Sequence, residues 1–107
     1  MRRPGAPRYP ALLTLYMDVS IITVTWNSAS HIAEQIRSVL GAAKGLECEQ
    51  IVVDNNSSDD TVALIQKEFP AVKIITNKAN KGFAVANNAA VAMTKGTFLL
   101  FLNPDMK

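Results

Sequence analysis

Short apolar runs that alternate with helix-like segments constrain the fold of this chain more than any other feature of its sequence. The apolar runs predict four strands, at Val19–Trp26, Ile51–Val53, Val72–Thr76 and Thr97–Leu102. Between them, apolar residues recur at helical spacing, which predicts three connecting helices. Strands joined in this way pair in parallel through right-handed crossovers. The sequence therefore predicts an α/β fold built on a parallel sheet.

The predicted helices carry signals at their starts. A serine hydroxyl can cap a helix by accepting a hydrogen bond from a backbone N–H of the first turn. The candidate caps are Ser28 and Ser30 for the first helix, and Ser57 or Ser58 for the second. The third helix is predicted at Phe83–Thr94 after Gly82, and its apolar side is expected to hold Phe83, Ala86, Ala90 and Met93.

The composition indicates one domain behind a short leader. Residues 1–16 hold three of the five prolines and show no period, so we predict an unstructured leader over residues 1–17 and one domain over residues 18–107. Three of the eleven basic residues lie in the leader and the domain is nearly neutral, so we expect no nucleic-acid partner. Cys48 is the single cysteine, which excludes an internal disulfide and favours a reducing compartment.

Polar residues cluster where the predicted strands end. Trp26 and Asn27 follow the first strand, residues 54–59 follow the second, and Asn103-Pro104-Asp105 follow the fourth. Open parallel sheets bind ligands outside the carboxyl ends of their strands, where the strand order reverses. The clusters therefore predict a ligand site at this edge of the sheet.

The sequence lacks the motifs of several classes of nucleotide-binding protein. No glycine follows the first strand within Thr25–Ser28, and no Gly-Lys-Ser/Thr loop is present. These absences argue against dinucleotide-binding dehydrogenases and P-loop phosphotransferases. Signalling receiver domains place paired acids after the first strand, whereas the acids here follow the second and fourth strands.

Four ordered blocks resemble the family 2 glycosyltransferases of the GT-A fold. The blocks are V-S-I-I-T-V-T-W-N, V-V-D-N-N-S-S-D-D, N-K-G-F-A-V-A-N-N and L-L-F-L-N-P-D, within Val19–Asp105. The last two blocks look most like the rhamnosyltransferase-like branch, which uses dTDP-sugars or related donors. The resemblance implies a three-layer α/β/α fold with sheet order 3-2-1-4, of which this chain covers the part up to the fourth strand. It also implies a cytoplasmic protein that can lie at the inner face of the cell membrane.

The resemblance assigns roles to the acidic residues. Asp54 matches an aspartate that accepts a hydrogen bond from the pyrimidine ring N–H; its alternative role is to cap the following loop. Asp105 matches the last acid of the D-x-D motif, which binds Mg²⁺ or Mn²⁺ beside the donor diphosphate. Asn103 replaces the first acid and is the second candidate metal ligand. An Asn-Pro-Asp turn without a ligand is the alternative for this segment.

Other positions are implied as nucleotide contacts. Trp26 matches an aromatic beside the base or ribose, with a core tryptophan as the alternative. Asn87 occupies a position where many relatives carry an arginine near the base. Gly82 allows close backbone approach at a helix start, which also suits phosphate. Asn27 and Asn55 complete the predicted nucleotide-binding set.

The implied activity is transfer of a sugar from a dTDP- or UDP-sugar to a glycan or lipid-linked acceptor in polysaccharide or cell-envelope biosynthesis. The family's catalytic base lies beyond the D-x-D motif, so we expect no catalytic residue in this chain. The alternatives are a nucleotide-binding fragment without turnover and a structural fragment that binds nothing. The apolar fourth strand should form an open edge, which predicts a homodimer or poor solubility.

Overall fold

The computed structural model describes residues 17–102, so residues 1–16 of the predicted leader, Asn103 and Asp105 lie outside the described residues, while Met17 is the first residue of a strand. The elements follow in the order β1 (Met17–Thr25), α1 (Ile32–Ala42), β2 (Cys48–Asp54), α2 (Thr61–Glu68), β3 (Lys73–Thr76), α3 (Phe83–Val91) and β4 (Gly96–Leu102). The four strands and three helices predicted from the sequence are confirmed. β2 begins three residues earlier than predicted, and α3 ends three residues earlier.

The sheet is parallel throughout its described part, with strand order β3-β2-β1-β4. β1 pairs with β2 on one side and with β4 on the other. Near the carboxyl ends, Thr25 lies opposite Asp54, and Thr23 lies opposite Leu102. The predicted α/β class and strand order are therefore confirmed, and the carboxyl ends of β1, β2 and β4 share one edge.

Two apolar clusters hold the helices against opposite faces of the sheet. One cluster packs α3 on β1 and β2, and its buried residues are Ile22, Val24, Ile51, Val53, Ala86 and Ala90. The other packs α1 and α2 against β2, through Ile32, Ile36, Val52 and Ile65. Side chains of a strand alternate between faces, so adjacent residues such as Val52 and Val53 serve different clusters. The result is a three-layer α/β/α arrangement.

The packing of α3 differs from the predicted stripe. Ala86 and Ala90 are buried as expected, but Phe83 and Met93 are exposed. Met93 lies beyond the end of α3 at Val91, so it does not continue the helical stripe. Phe83 is the first residue of α3 and is exposed at the edge where the strands end. The small alanine side chains, rather than the large ones, form the contact with the sheet.

A buried carboxylate lies at the amino end of the sheet, where the sequence analysis predicted no site. Glu49 of β2 accepts hydrogen bonds from the Ser20 hydroxyl (2.6 Å), the Lys95 backbone N–H (2.6 Å) and the Lys73 ammonium (3.0 Å). Burial raises the pKa of Glu49, but these hydrogen bonds outweigh it and hold the pKa below its ordinary value. The charge is therefore compensated by partners on β1, on β3 and at the start of β4.

Gly96, the first residue of β4, lies against the backbone of β1. Its N–H donates to the Ser20 hydroxyl (2.8 Å), and a Cβ atom at this position would clash with the Ser20 backbone nitrogen. No real Cβ atom approaches a backbone atom so closely. The approach of β4 to β1 therefore requires glycine at this position.

We predict that Gly96→Ala destabilises the domain by about 2–3 kcal/mol, because the added methyl group must displace backbone rather than a flexible side chain. Gly41→Ala is the matched control, since Gly41 lies in α1 and a Cβ there meets no atom within 4 Å. The control should be neutral or stabilising by up to about 1 kcal/mol. Urea unfolding measures both, and equal free energies of unfolding for the two variants would contradict the prediction.

Candidate functional site

Four of the predicted site residues, Trp26, Asn27, Asn55 and Gly82, lie in the loops that leave the carboxyl ends of β1, β2 and β3. The first loop starts with Trp26 and Asn27, the second with Asn55, and the third runs from Asn77 to Gly82. Backbone hydrogen bonds join the loops, since Asn55 N–H donates to the Thr25 carbonyl and Asn77 N–H donates to the Asp54 carbonyl, both at 2.8 Å. The three loops therefore form one continuous polar surface.

Asp54 is 2% exposed and organises the turn after β2. Its Oδ1 accepts from the Thr25 hydroxyl (2.7 Å) and the Ser57 hydroxyl (2.5 Å), and its Oδ2 accepts from the Ser57 backbone N–H (2.9 Å). A carboxylate oxygen can accept two hydrogen bonds, so Oδ2 keeps one acceptor position. The loop-capping role of Asp54 is thus present in the structure, alongside capacity for one further donor.

Asn27 joins the first loop to the second. Its Oδ1 accepts from the backbone N–H groups of Ser58 (2.8 Å) and Asp59 (3.3 Å), and its own N–H donates to the Ser57 hydroxyl (2.9 Å). Asn27 has a positive φ of 49°, a conformation in which asparagine is enriched. The Asn27 amide oxygen is therefore engaged in loop structure.

The serines do not cap the helices as predicted. The N-cap residues are His31 for α1 and Asp60 for α2, and neither makes a side-chain cap hydrogen bond. The hydroxyl of Ser57 instead donates to Asp54. The Ser28 hydroxyl bonds the Trp26 backbone at 3.2–3.3 Å. The prediction was wrong because hydrogen-bond partners within the strand-end loops compete for these hydroxyl groups.

Asp59 supplies a second brace between the loops. Its carboxylate accepts from the Ala29 backbone N–H (3.1 Å), from the Thr61 backbone N–H (3.0 Å) and from the Thr61 hydroxyl. Desolvation raises the pKa of Asp59, but the hydrogen bonds from Thr61 and Ala29 outweigh it and lower the pKa. The start of α2 is therefore tied to the loop that precedes α1.

Asn55 holds the third loop in place. Its Nδ2 donates to the Gly82 carbonyl (3.1 Å), while its Oδ1 accepts from Asn77 Nδ2 (2.9 Å) and from the Lys81 backbone N–H (3.3 Å). The side chain is buried, so its contacts are with the protein. Asn77 was missed from the sequence, because its role depends on a partner that lies 22 residues away.

The start of α3 is formed by a left-handed glycine. Gly82 has φ 81°, and its backbone N–H donates a hydrogen bond to Asn80 Oδ1 (2.9 Å). Asn87, one turn into α3, is 8% exposed, and its Oδ1 has no hydrogen-bond partner within the described residues. An unpartnered buried amide oxygen is uncommon in proteins. A ligand group that donates a hydrogen bond to Asn87 Oδ1 would therefore bind favourably at this position.

Trp26 is a large aromatic residue exposed on this surface. Its side chain is 56% exposed, so the alternative interpretation as a core tryptophan is wrong. The braced loops fix its backbone, because Asn27 and Ser28 on its carboxyl side are bonded to the second loop and to α2. An exposed indole on a fixed backbone can stack on a planar ring.

The predicted metal ligands Asn103 and Asp105 lie outside the described residues. Within residues 17–102, no three His, Cys, Asp or Glu side chains are grouped closely enough to hold a metal ion. β4 ends at Leu102 beside β1, at the edge of the sheet where β1 and β2 also end. In the same part of the chain, no helix has the length and apolar character needed to cross a membrane.

The chain is similar to known glycosyltransferases. The profile of Glycosyl transferase family 2 matches residues 20–106. Succinoglycan biosynthesis protein ExoO of Rhizobium meliloti is 33% identical over 97 residues, which cover 90% of this chain and 28% of ExoO. UDP-Glc:alpha-D-GlcNAc-diphosphoundecaprenol beta-1,3-glucosyltransferase WfgD of Escherichia coli is 35% identical over 88 residues, which cover 81% of this chain and 34% of WfgD.

A solved structure agrees in fold. The crystal structure of S. aureus TarS 1-349 in complex with UDP superposes with a TM-score of 0.73 at 30% identity, covering 83% of this chain and 28% of that chain. The fold and its polar carboxyl edge are those of a GT-A glycosyltransferase domain. This chain belongs to glycosyl transferase family 2. It spans about a third or less of the length of these relatives.

We predict that Asp54→Ala lowers the free energy of unfolding by about 2–3 kcal/mol, because it leaves the buried Thr25 hydroxyl without its acceptor and releases Ser57. Asp60→Ala is the matched control, since Asp60 is exposed and makes no side-chain cap hydrogen bond. The control should cost less than about 1 kcal/mol. Denaturant unfolding followed by circular dichroism compares them, and a similar loss in both variants would argue against the bracing role of Asp54.

Proposed function

We propose that this chain binds the nucleotide of a sugar donor at the carboxyl edge of its sheet. The observation that carries the proposal is the exposed Trp26, held on braced loops beside Asp54 where the strand order reverses between β1 and β4. Family membership supports a nucleotide-sugar ligand, and TarS, a relative in fold, has been crystallised with UDP. The protein would act in polysaccharide or cell-envelope biosynthesis, by analogy with ExoO, which is named as a succinoglycan biosynthesis protein.

The proposed contacts with the base use the indole of Trp26, which follows β1, and the carboxylate of Asp54, at the end of β2. The indole of Trp26 stacks on the base or ribose, and Oδ2 of Asp54 accepts the ring N–H of uracil or thymine through its remaining acceptor position. Cytosine has no N–H at this ring position, so a carboxylate acceptor favours uracil or thymine over cytosine. Asn87 and the backbone at Gly82 form the α3 side of the nucleotide site, while Asn27 and Asn55 position its loops.

The diphosphate is proposed to lie toward β4. β2 and β4 are separated by β1, so their ends lie two strand spacings apart, roughly 10 Å. That is about the distance from base to diphosphate in one nucleotide. Asn103 and Asp105 offer an amide oxygen and a carboxylate, and oxygen ligands of this kind suit Mg²⁺ or Mn²⁺. The ion would neutralise the diphosphate and stabilise it as a leaving group.

The donor is proposed to be dTDP- or UDP-linked. The blocks N-K-G-F-A-V-A-N-N and L-L-F-L-N-P-D support the rhamnosyltransferase-like branch and a dTDP-sugar. WfgD and TarS support a UDP-sugar, because their names include UDP-Glc and a UDP complex. The sugar would be a hexose passed to a glycan or lipid-linked acceptor. The alternative is a nucleotide-binding chain without turnover.

We predict that Trp26→Ala weakens UDP and dTDP binding by about 5- to 100-fold, the range for loss of one aromatic–base stack. Leu40→Ala is the matched control, because Leu40 is 55% exposed but lies on α1, away from the strand-end loops. Isothermal titration calorimetry on the full chain, with ADP as the purine comparison, measures the affinities. Unchanged UDP affinity in both Trp26→Ala and a folded Asp54→Ala would overturn the site assignment.

Two further measurements separate the parts of the proposal. Mn²⁺ should increase the UDP affinity of the unsubstituted chain, and Asp105→Asn should remove that increase while leaving metal-free binding intact. Transfer of sugar from UDP-glucose or a dTDP-sugar to an acceptor distinguishes an enzyme from a binding chain. Absence of both UDP and dTDP binding would leave only the structural interpretation.

We also propose that the chain self-associates through β4. Within residues 17–102 this strand pairs on one side only, and its residues 97–102 include no charged side chain. Phe98 is 70% exposed, and Leu100 and Leu102 line an apolar groove with Val19 and Ile21. Uncharged apolar edge strands pair with other chains, so a second copy of this chain fits the edge.

We predict that Phe98→Lys shifts the chain toward monomer, because a charge on an edge strand opposes pairing. Leu40→Lys changes an exposed leucine on α1 in the same way and should leave association unchanged. Light scattering over a concentration series measures the molar mass. A strictly monomeric unsubstituted chain at high concentration would contradict self-association.

A further inference from the structure

Phe83 lies on the sheet-facing side of α3 but is exposed. Helix residues three, four and seven positions apart share one side, so Phe83 shares its side with Ala86, Asn87 and Ala90. All three of these residues are buried, whereas Phe83 is 53% exposed. Gly82, directly before Phe83, is bonded to Asn55 at the end of β2, so α3 begins where the sheet ends. The ring therefore faces the space just outside the strand ends.

Trp26 lies on the same side of the sheet as α3. Ile22 and Val24 of β1 belong to the apolar cluster that packs against α3. Side chains alternate between faces along a strand, which places Trp26, two residues after Val24, on the α3 side of the carboxyl edge. Its side chain is 56% exposed. Two exposed aromatic side chains therefore share one side of one edge.

Asn55 sets the separation between the backbone segments that carry these two rings. Its backbone N–H donates to the Thr25 carbonyl (2.8 Å), directly before Trp26. Its Nδ2 donates to the Gly82 carbonyl (3.1 Å), directly before Phe83. A planar ring held between two aromatic side chains needs those side chains roughly 7–8 Å apart, which is two van der Waals contacts of about 3.5–4.0 Å. One asparagine with a hydrogen bond on either side spans a comparable distance.

Asn87 gives an independent indication that a ligand enters beside Phe83. It lies one turn further along the same side of α3 and is 8% exposed. Its Oδ1 has no hydrogen-bond partner within residues 17–102, and an unpaired buried acceptor is unfavourable. A pyrimidine nucleotide offers a ring N–H and ribose hydroxyl groups as donors. Because the ring N–H is assigned to Asp54, a ribose hydroxyl is the donor that remains for Asn87.

We propose that Phe83 is a nucleoside-binding residue that holds the base against Trp26, while a ribose hydroxyl donates to Asn87 Oδ1. The inference rests on the proposed nucleotide site and adds a second aromatic surface to it. Stacking on aromatic side chains tolerates different bases. The pair should therefore strengthen binding of UDP and dTDP alike.

The test compares Phe83→Ala with Phe83→Tyr, which keeps an aromatic ring, in the full chain. Val85→Ala is the matched control, because Val85 is also 53% exposed but lies about 200° around α3 from Phe83. Calorimetry measures the affinities for UDP, dTDP and inorganic pyrophosphate, which lacks a base. Trp26 is the single tryptophan of the chain, so quenching of its fluorescence by UDP reports contact between the base and that ring.

Phe83→Ala should weaken UDP and dTDP binding by about 5- to 100-fold, the range for loss of one aromatic–base stack. Phe83→Tyr and Val85→Ala should retain the affinity and the fluorescence quenching. A purely structural role would instead lower the free energy of unfolding together with every affinity, and an equal loss of UDP and pyrophosphate binding would overturn the inference. Should Phe83→Ala fail to fold, Phe83→Leu, which keeps an apolar side chain without a ring, gives the same comparison.

Asn87→Ala separates a binding role from a folding role. Alanine is the better helix former and leaves no unpaired acceptor, so the free energy of unfolding should stay the same or rise. UDP affinity should fall about 2- to 10-fold, the range for one neutral hydrogen bond. Lower stability with unchanged UDP affinity would show that Asn87 serves the fold and would overturn its assignment.

UDP binding that Trp26→Ala weakens and Phe83→Ala leaves unchanged would overturn the inference alone, because the base would then stack on one side only. Failure of the proposed function has a different signature. In that case the unsubstituted chain binds neither UDP nor dTDP and its tryptophan fluorescence does not change, which overturns the proposed function and this inference together.

Discussion

The parallel pairing of β1 on both of its sides is the constraint on which the rest of this structure depends. β1 joins β2 to β4, and its residues 20–25 are all buried. Because both neighbours run in the same direction as β1, every loop that follows one of these strands emerges at one edge. The position of the candidate site follows from this pairing. The helices serve mainly to bury the two faces of the sheet.

The two ends of the sheet use polar side chains for different purposes. At the carboxyl end, Asp54, Asn27 and Asn55 bind backbone and side-chain groups of adjacent loops, which leaves Trp26 exposed on a supported surface. At the amino end, Glu49 and Ser20 accept N–H groups of the incoming β4. Both Asp54 and Glu49 are buried carboxylates, but the donors to Asp54 come from β1 and from its own turn, whereas the donors to Glu49 come from β1, from β3 and from the residue before β4.

Much of the fold could be predicted because the spacing of apolar residues that distinguishes strands from helices is visible within each short segment of the sequence. The strand-helix alternation gave the element types, and the strand order followed from resemblance in four blocks. The identities of Asp54 and Asn55 as strand-end residues could be read in the same way. Their contacts could not, since Asp54 meets Thr25 across 29 residues and Asn55 meets Gly82 across 27. The predicted serine caps were wrong for the same reason. The Ser57 hydroxyl bonds Asn27 of another loop and Asp54 at the start of its own turn, rather than the first turn of α2.

The sequence by itself determined the α/β class, the family and the edge at which polar residues gather. Apolar spacing and sequence motifs involve residues that are close together along the chain, so they can be recognised without a structure. Only the tertiary structure decided which of those polar residues became loop braces and that Trp26 stayed exposed. It also decided that Glu49, an ordinary surface residue type, is buried and compensated. These outcomes depend on which groups two strands bring within hydrogen-bond distance, and that distance is set by packing rather than by spacing along the chain.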